Sequence, residues 1–333
     1  MNKEQNFKEE FMFDVCTLGE LLIDFTPSGV NELGIALFGR NPGGSVANML
    51  AMNTKLGSKT ALIGKVGDDE FGRFLEKNLA SAGIDTAGLI KDPAYLTTLA
   101  IVQLSETGER SFSFYRREGA DLMLTWEETK KEVIDAAKMF HFCSVGLSGQ
   151  PCRDTIHEAV CYARSKGKII SYDPNYRPFL WPDAGEAKIE IGSLVDSADI
   201  LKVSEEEMVF LTDETDLEKG SSLLAEKGPV IVLVSQGPKG AFFRCASGTG
   251  YLPAYDVKTI DTTGAGDAFL GAVHYRLRDK NLDEIKRISS HELADIIDFA
   301  NAAGSLTTAQ KGAIPALPSM AEIEKCRKEG KFL

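Results

Sequence analysis

Runs of consecutive apolar residues, many of them β-branched, alternate along this chain with segments of helical pattern, and this alternation limits the possible folds most strongly. Residues 230–234, for example, read VIVLV without an intervening polar position. A strand with one solvated face alternates apolar and polar residues, whereas a strand covered by helices on both faces is apolar throughout. The sequence therefore predicts a three-layer α/β/α core built around a mainly parallel sheet.

The same patterns place the individual elements along the chain. Strands are predicted at residues 13–18, 60–66, 139–145, 168–173, 200–203, 230–235 and 241–245. Helices are predicted at residues 44–56, 70–82, 127–137, 153–166, 205–211 and 217–227. The βαβα order of most of these elements favours one α/β core of this kind.

Two regions, 22–42 and 95–118, break this order with short alternating segments and no helix. In the second region, residues 98–104 and 110–116 flank a glycine-containing loop, which is the signal of a β-hairpin. We expect both regions to form a small sheet that acts as a lid or as a dimerisation surface. Because no linker or repeat divides the rest, we predict a single domain over residues 12–320, preceded by a polar leader at residues 1–11.

Composition narrows the class of protein further. Among 333 residues, 49 are acidic and 37 are basic, and the net charge of −12 argues against a nucleic-acid or anionic-membrane partner. The six cysteines form no CxxC pair, which indicates reduced thiols rather than a disulfide scaffold. There is no apolar run of about 18 residues and no apolar signal-peptide region, so a cytoplasmic protein is expected.

The segment 261–269, which reads DTTGAGDAF, carries the strongest chemical signal. It precedes an apolar helical pattern, so its glycines would expose backbone N–H groups at a helix start and form an anion site. The carboxylate of Asp267 would repel a resting phosphate there, but it suits a general base beside a phosphoryl group in transit. Taken alone, the motif is more often an ordinary N-capped helix start with a glycine turn, and it has neither P-loop nor dinucleotide-binding spacing.

A second motif joins this one near the start of the chain. GGSVAN at residues 43–48 continues to GKVGDDEFG at residues 64–72. Together with DTTGAGDAF, it resembles the signatures of the ribokinase-like (PfkB) carbohydrate kinases, and the resemblance covers about residues 13–320. Within that family the chain is most similar to fructokinases. That likeness is carried by GELLIDF at residues 19–25, FYR at residues 114–116 and DPNYRP at residues 173–178.

The resemblance implies a fold and a set of roles. The family has one α/β domain with a β-sheet lid, often paired into a dimer, so a homodimer through the lid is expected. Asp267 would be the catalytic base, and Gly264, Ala265 and Gly266 would form the anion hole for the transferring phosphoryl group. The sugar would be bound by a carboxylate, two glycines, an amide and two arginines. These are Asp24, Gly43, Gly44, Asn48, Arg116 and Arg177.

By the same resemblance, ATP would lie against a glycine-containing loop and an amide near the adenosine end. The implied ATP-binding residues are Ser204, Ser235, Gly237, Gly240, Gly266 and Asn301. Glu207 would act on Mg²⁺ through water, although Ser204 departs from the commoner Asn of the family's Asn-x-x-Glu motif. A K⁺ site would draw on carbonyl and carboxylate oxygens, and the sequence leaves its occupancy open. Its residues would be Asp261, Thr263, Thr307, Gln310, Gly312 and Ala316.

These residues favour an ATP-dependent sugar kinase, with fructokinase as the first hypothesis. Other kinases of the family, acting on 2-keto-3-deoxygluconate, ribose or a nucleoside, are the alternatives within the class. A sugar sensor that has kept the fold without turnover is the alternative from a different class. The lid sets the choice of sugar, and its residues are the least transferable part of the resemblance.

Overall fold

The computed structural model of this chain describes residues 11–104 and 110–333, which contain thirteen strands and eleven helices. The strands are β1 (Phe13–Leu18), β2 (Leu22–Val30), β3 (Ala36–Gly43), β4 (Thr60–Gly67), β5 (Asp85–Asp92), β6 (Leu99–Leu104), β7 (Arg110–Tyr115), β8 (Ala137–Cys143), β9 (Ile169–Asp173), β10 (Ile200–Ser204), β11 (Ile231–Ser235), β12 (Ala241–Cys245) and β13 (Gly248–Leu252). The helices are α1 (Ser45–Lys55), α2 (Glu70–Ser81), α3 (Lys131–Asp135), α4 (Cys152–Ser165), α5 (Ala184–Gly192), α6 (Glu205–Thr212), α7 (Leu217–Ala225), α8 (Ala265–Leu277), α9 (Leu282–Lys286), α10 (Ser290–Thr307) and α11 (Met320–Glu329).

Nine strands form one large sheet in the order β13-β12-β11-β10-β9-β8-β1-β4-β5. Its strands run parallel except where β12 pairs antiparallel with β11 and with β13. Each continuous apolar strand supplies both faces of this sheet: Ile231 and Leu233 of β11 pack into one buried cluster, and Val232 and Val234 into the other. The predicted three-layer α/β/α core with a mainly parallel sheet is therefore confirmed.

The order of the strands opens a cleft at one point of the sheet. β1 lies between β4 and β8. From β1 the sheet continues through β4 in one direction, and from β8 it continues through β9 in the opposite direction. In open α/β sheets, loops diverge at such a switch point and leave room for a ligand at the carboxyl ends of the strands. The helices α1 and α8, which pack against each other, begin beside this cleft.

A second sheet, in the order β3-β2-β6-β7, covers the cleft. It arises from the two regions that break the βαβα pattern, so the small second sheet is also confirmed. The strands predicted at 98–104 and 110–116 are β6 and β7, and they pair antiparallel. The predicted loop between them, at residues 105–109, lies outside the described residues, as does most of the predicted leader.

The boundaries differ from the prediction at several places. The helix expected at 127–137 covers only Lys131–Asp135, because Ala137 already belongs to β8 and is buried in the sheet. Strand β5 was not predicted, since its sequence DTAGLIKD is half polar and lies at the sheet edge, where one side is solvated. Among the described helices, none combines the length and the apolar character needed to cross a bilayer.

Candidate active site

Two adjoining cavities lie at the carboxyl ends of the large sheet. The first cavity, about 750 Å³, lies under the small sheet and is lined by Asp24, Asn48 and Asp267 among others. The second cavity, about 670 Å³, lies beside α10 and the β11–β12 connection. The two cavities share wall residues at one junction. These shared residues are Ser204, Glu206, Thr262 and Gly266.

Asp267 faces the first cavity from the first turn of α8. Its Oδ2 accepts a hydrogen bond from Asn48 Nδ2 of α1 at 2.9 Å, which fixes the direction of the carboxylate. Desolvation, joined by the charge of Asp173, raises the pKa of Asp267 to about 7 against the opposing effect of Asn48. The carboxylate is therefore held in position and has a proton affinity suited to a general base near neutral pH.

Asp24 approaches the same cavity from β2 of the small sheet. Burial, with the negative charges of Glu20 and Asp267, raises the pKa of Asp24 to about 7. The neighbouring Gly43 leaves the space that the carboxylate uses, because a Cβ there would overlap Asp24 Oδ2. Gly44 adopts φ 118°, a conformation that favours glycine, directly before α1 begins. Gly44 lines the cavity, whereas Gly43 is not among its described wall residues and instead leaves room for Asp24.

The start of α8 forms a turn of exposed backbone N–H groups at the junction. Gly264 adopts φ 77°, and a Cβ there would lie 2.6 Å from Ala313 Cβ. Since α8 begins at Ala265, its first N–H groups have no carbonyl within the helix to bond, although the Ala265 N–H donates to Thr262 O at 3.3 Å. Together with the helix dipole, they make this turn an anion site, and Gly264 and Gly266 line the first cavity beside it.

The two arginines singled out in the sequence occupy different positions. Arg177 lies in the first cavity wall, exposed, close enough to Asp24 and Asp267 to lower the pKa of each. Arg116 is buried instead, and its Nε donates to Asp121 Oδ2 at 2.8 Å. Its Nη1 donates to Val145 O at 3.1 Å, so the guanidinium lies behind the described wall of the cavity. A direct contact between Arg116 and a sugar stays a prediction.

The opening of the first cavity is bordered by two stacked aromatic rings. Phe114 of β7 and Phe179, which follows β9, have ring centroids 5.0 Å apart. Because one ring belongs to the small sheet and the other to the loop after the large sheet, their stacking joins the two sides of the cavity. The loop also contains Asn175, a buried wall residue at φ 51°, a conformation that Asn tolerates better than most side chains.

The second cavity contains the predicted nucleotide residues. Ser235, Gly237, Gly240 and Asn301 all line it. Gly240 adopts φ 113°, and a Cβ there would overlap the carbonyl oxygen of Leu252. Asn301 Nδ2 is already engaged, donating to that carbonyl at 2.9 Å, which holds the end of β13 against α10. The structure brings the four residues together around one space, and their contacts to ATP stay a prediction.

Ser204 and Glu207 form a capping box at the start of α6. Ser204 Oγ accepts from the Glu207 N–H at 3.1 Å, and Glu207 Oε2 accepts from the Ser204 N–H at 2.7 Å. Glu207 Oε1 also accepts from the Tyr176 N–H at 2.7 Å. Burial, with the nearby charge of Asp173, raises the pKa of Glu207. Ser204 thus caps α6, a role that an Asn at this position could also fill.

The predicted K⁺ residues lie on two segments that meet behind the anion turn. Asp261 Oδ1 accepts from the Thr263 N–H at 2.8 Å, and Asp261 Oδ2 accepts from the Gly312 N–H at 3.1 Å. The backbone N–H of Asp261 donates to Thr308 O at 3.1 Å. Segments 261–263 and 307–316 are therefore in contact, and binding of a monovalent cation between them stays a prediction.

Sequence reasoning missed three charged residues of the first cavity wall, Glu20, Lys202 and Glu206. Glu20 Oε1 accepts from the Ser45 N–H at 2.7 Å and so helps to hold the start of α1. Lys202 Nζ donates to Asp173 Oδ2 at 2.8 Å across neighbouring strands. A signal for Lys202 was present, since it is a single charged residue within the apolar run 200–203 at the carboxyl end of a strand.

Comparison with known proteins agrees with this arrangement. The profile of the pfkB family carbohydrate kinases matches residues 12–320. Fructokinase-1 of Zea mays is 41% identical over 312 residues, covering 93% of this chain and 96% of that protein. Fructokinase-2 of Solanum lycopersicum is 41% identical over 319 residues, covering 95% of this chain and 96% of that protein.

Solved structures give the same result. The fructokinase from Xylella fastidiosa with bound ATP superimposes with a TM-score of 0.87 at 28% identity, covering 96% of this chain and 99% of that one. A fructokinase from Vibrio cholerae in fructose-, ADP- and potassium-bound form gives a TM-score of 0.83 at 32% identity, with 95% and 99% covered. With the family profile matched over residues 12–320, the chain belongs to the pfkB family of carbohydrate kinases.

Proposed function

We propose that this chain is an ATP-dependent fructokinase, which converts D-fructose and ATP to D-fructose 6-phosphate and ADP. The observation that carries the proposal is the junction at Gly266, where the second cavity opens onto Asp267 and Asp24 in the first. Relatives named as fructokinases, with 41% identity over nearly the whole chain, support fructose as the sugar.

In the proposed reaction, the sugar lies in the first cavity with hydroxyl groups on Asp24 and Asn48. Asp267 takes the proton of the 6-hydroxyl as its oxygen forms a bond to the γ-phosphorus. The bond between that phosphorus and the bridging oxygen breaks, and ADP leaves with the electron pair. The N–H groups around Gly264 and Gly266 stabilise the charge on the phosphoryl oxygens during the transfer.

The residues at the junction suit a magnesium ion carried by ATP. Mg²⁺ retains several waters and is usually bound through one or two carboxylates together with substrate phosphates. Glu206 lines both cavities, and each oxygen of Glu207 keeps a lone pair beyond the backbone N–H it accepts. Bound there, the metal would neutralise charge on the phosphates. The meeting of segments 261–263 and 307–316 supports K⁺ as a further ligand.

An assay of ADP release over fructose, ribose, 2-keto-3-deoxygluconate, tagatose, mannose and nucleosides, with and without K⁺, tests the proposal. We expect the highest kcat/KM with fructose. A preference of an order of magnitude for another substrate would assign the chain to the other kinases of the family. Sugar binding without ADP release from any substrate would favour the sensor hypothesis instead.

The pH dependence of kcat/KM provides the first prediction. Asp267 accepts a proton only when ionised, and its pKa is raised to about 7, so kcat/KM should fall as the pH drops below that value. Asp24, also raised to about 7, binds hydroxyl groups best when ionised and acts in the same direction. We expect a plateau above neutral pH and a decline steeper than one proton below it.

Initial rates over the acidic and neutral range, with Asp24→Asn as the comparison, check this prediction. The variant should be slower throughout and should lose one of the two ionisations, so that its decline follows a single proton. A wild-type profile that stays flat into the acidic range would contradict the roles of both carboxylates.

We also propose that residues 12–320 form one kinase domain whose small sheet serves as a lid and as a homodimer interface. Apolar side chains are exposed together on and beside β2 and β3, with Leu33 82% and Ile35 58% exposed. Such a patch on a small sheet is typical of an interaction surface, and a second copy of the same patch would cover it. The cytoplasmic location stays a prediction from the sequence.

The oligomeric state gives the second prediction. Wild-type protein should have about twice the 36.2 kDa chain mass, and the Ile35→Asp Phe38→Asp double variant should be monomeric because it buries charge at the interface. Ile189→Asp, on α5 and 72% exposed, is the matched control and should leave the dimer intact. Light scattering after gel filtration measures all three, and a monomeric wild type would refute the interface.

A further inference from the structure

We propose that Lys202 is a further catalytic residue, whose ammonium group contacts the phosphoryl group while it crosses from the second cavity to the first. This inference rests on the proposed kinase function. Lys202 lies near the carboxyl end of β10 and lines the first cavity. A Cβ on Gly266 would lie 3.3 Å from its Nζ, so the ammonium is directly beside the backbone of the anion turn. Gly266 is also a wall residue of both cavities.

The charge balance of the first cavity assigns this cation an electrostatic role. Among the described wall residues, the carboxylates outnumber the cations, which are Arg177 and Lys202. The carboxylates are Glu20, Asp24, Glu206, Glu207 and Asp267. A triphosphate that enters this acidic cavity needs positive charge at the point of transfer. Arg177 is exposed at the surface, whereas Lys202 is buried, where a charge acts through a lower dielectric.

Lys202 is held in the charged form and in one direction. Burial alone would lower its pKa, but the charges of Asp173, Glu207 and Asp267 outweigh this and raise it. Within the described residues, Asp173 Oδ2 is the hydrogen-bond partner of Nζ, at 2.8 Å. An ammonium group has three donors, so two N–H bonds stay available for phosphoryl oxygens at the junction.

A purely structural ion pair between β9 and β10 is the competing explanation. A buried pair is weak support for stability, because an apolar pair of similar size often serves as well. The two explanations differ in what happens when both partners are neutralised. A structural pair should then recover its function, since no buried charge is left without a partner. A cation that contacts the phosphoryl group should not recover it, since the group itself is lost.

The test compares the wild type with Lys202→Met and with the double variant Lys202→Met Asp173→Asn. Each protein is assayed with the substrates named above for kcat and for KM of the sugar, and the Kd for ADP is measured separately. We expect kcat to fall by about 10²–10³-fold in both variants. KM for the sugar and Kd for ADP should change little, because Lys202 acts on the group in transit. The double variant leaves neither Lys202 nor Asp173 as an unpaired buried charge. Its kcat therefore tests the proposal even if Lys202→Met alone fails to fold.

Lys65→Met is the matched control, since Lys65 is a buried lysine of β4 that pairs with Asp92 and Glu128 outside the described walls of both cavities. It should retain the wild-type kcat. The inference would be overturned if the double variant had a near-wild-type kcat, or if Lys202→Met kept the wild-type kcat. A wild type that phosphorylates no sugar would refute the proposed function, and the role of Lys202 with it.

Discussion

Replacing Asp267 with Asn should lower kcat on the best sugar by about 10²–10⁴-fold, the usual contribution of a positioned general base. The variant keeps the shape of the site, because an Asn oxygen can still accept the hydrogen bond that Asn48 Nδ2 donates at 2.9 Å. It cannot take a proton from the sugar hydroxyl, so the attacking oxygen would have to lose its proton to water. Binding of ADP and of sugar should be preserved.

Steady-state kinetics and calorimetric titration with ADP measure the two quantities separately. Asp213→Asn, an exposed carboxylate at the end of α6 with φ 57°, is a suitable control, since Asn also tolerates that conformation. It should behave as the wild type in both measurements. Near-wild-type turnover of Asp267→Asn would show that another group accepts the proton, and the proposed mechanism would then be wrong.

The parts of the site that the sequence predicted are those defined by local chain geometry. DTTGAGDAF encodes a glycine turn followed by a helix, and both the turn and the carboxylate can be read from adjacent positions. Asp24 follows the first strand closely, and parallel strands place all such residues at one edge of the sheet. The junction between the two cavities follows from these local rules together with the strand order.

The parts that were missed depend on partners far apart in the sequence. Lys202 and Asp173 meet only because β9 and β10 are neighbours in the sheet, which no local pattern encodes. Buried charges take whichever opposite charge the tertiary fold brings near them.

Secondary structure shows the same division. Strands that are mostly buried, and therefore mostly apolar in sequence, include Phe13–Leu18 and Ala241–Cys245. Both have the predicted boundaries. The edge strands β5 and β13 were not predicted, because their exposed positions carry polar residues and glycine. Burial on both faces leaves a clear signal in a sequence, and pairing along one edge does not.

Gly43→Ala should impair sugar binding without unfolding the protein. A Cβ at this position would overlap Asp24 Oδ2 and lie 2.7 Å from Asp24 Cγ, so the carboxylate must turn away from the place it occupies. Hydrogen bonds to a charged group contribute about 1.5–3 kcal/mol each, and losing one corresponds to about 10–100-fold in affinity. We therefore expect KM for the sugar to rise by about that factor, while Kd for ADP is unchanged.

Gly39→Ala is the matched control on the same strand, since its Cβ would have no neighbour nearer than 3.7 Å. Thermal unfolding should show that both variants fold, because the group displaced in Gly43→Ala is a carboxylate facing a cavity rather than backbone. The double variant Gly43→Ala Asp24→Ala completes the argument, because Asp24→Ala removes the side chain that the new Cβ would displace. If Gly43 acts only by leaving room for Asp24, adding the alanine at position 43 to Asp24→Ala should raise KM no further, whereas an independent second increase would mean that the glycine backbone itself contacts the sugar.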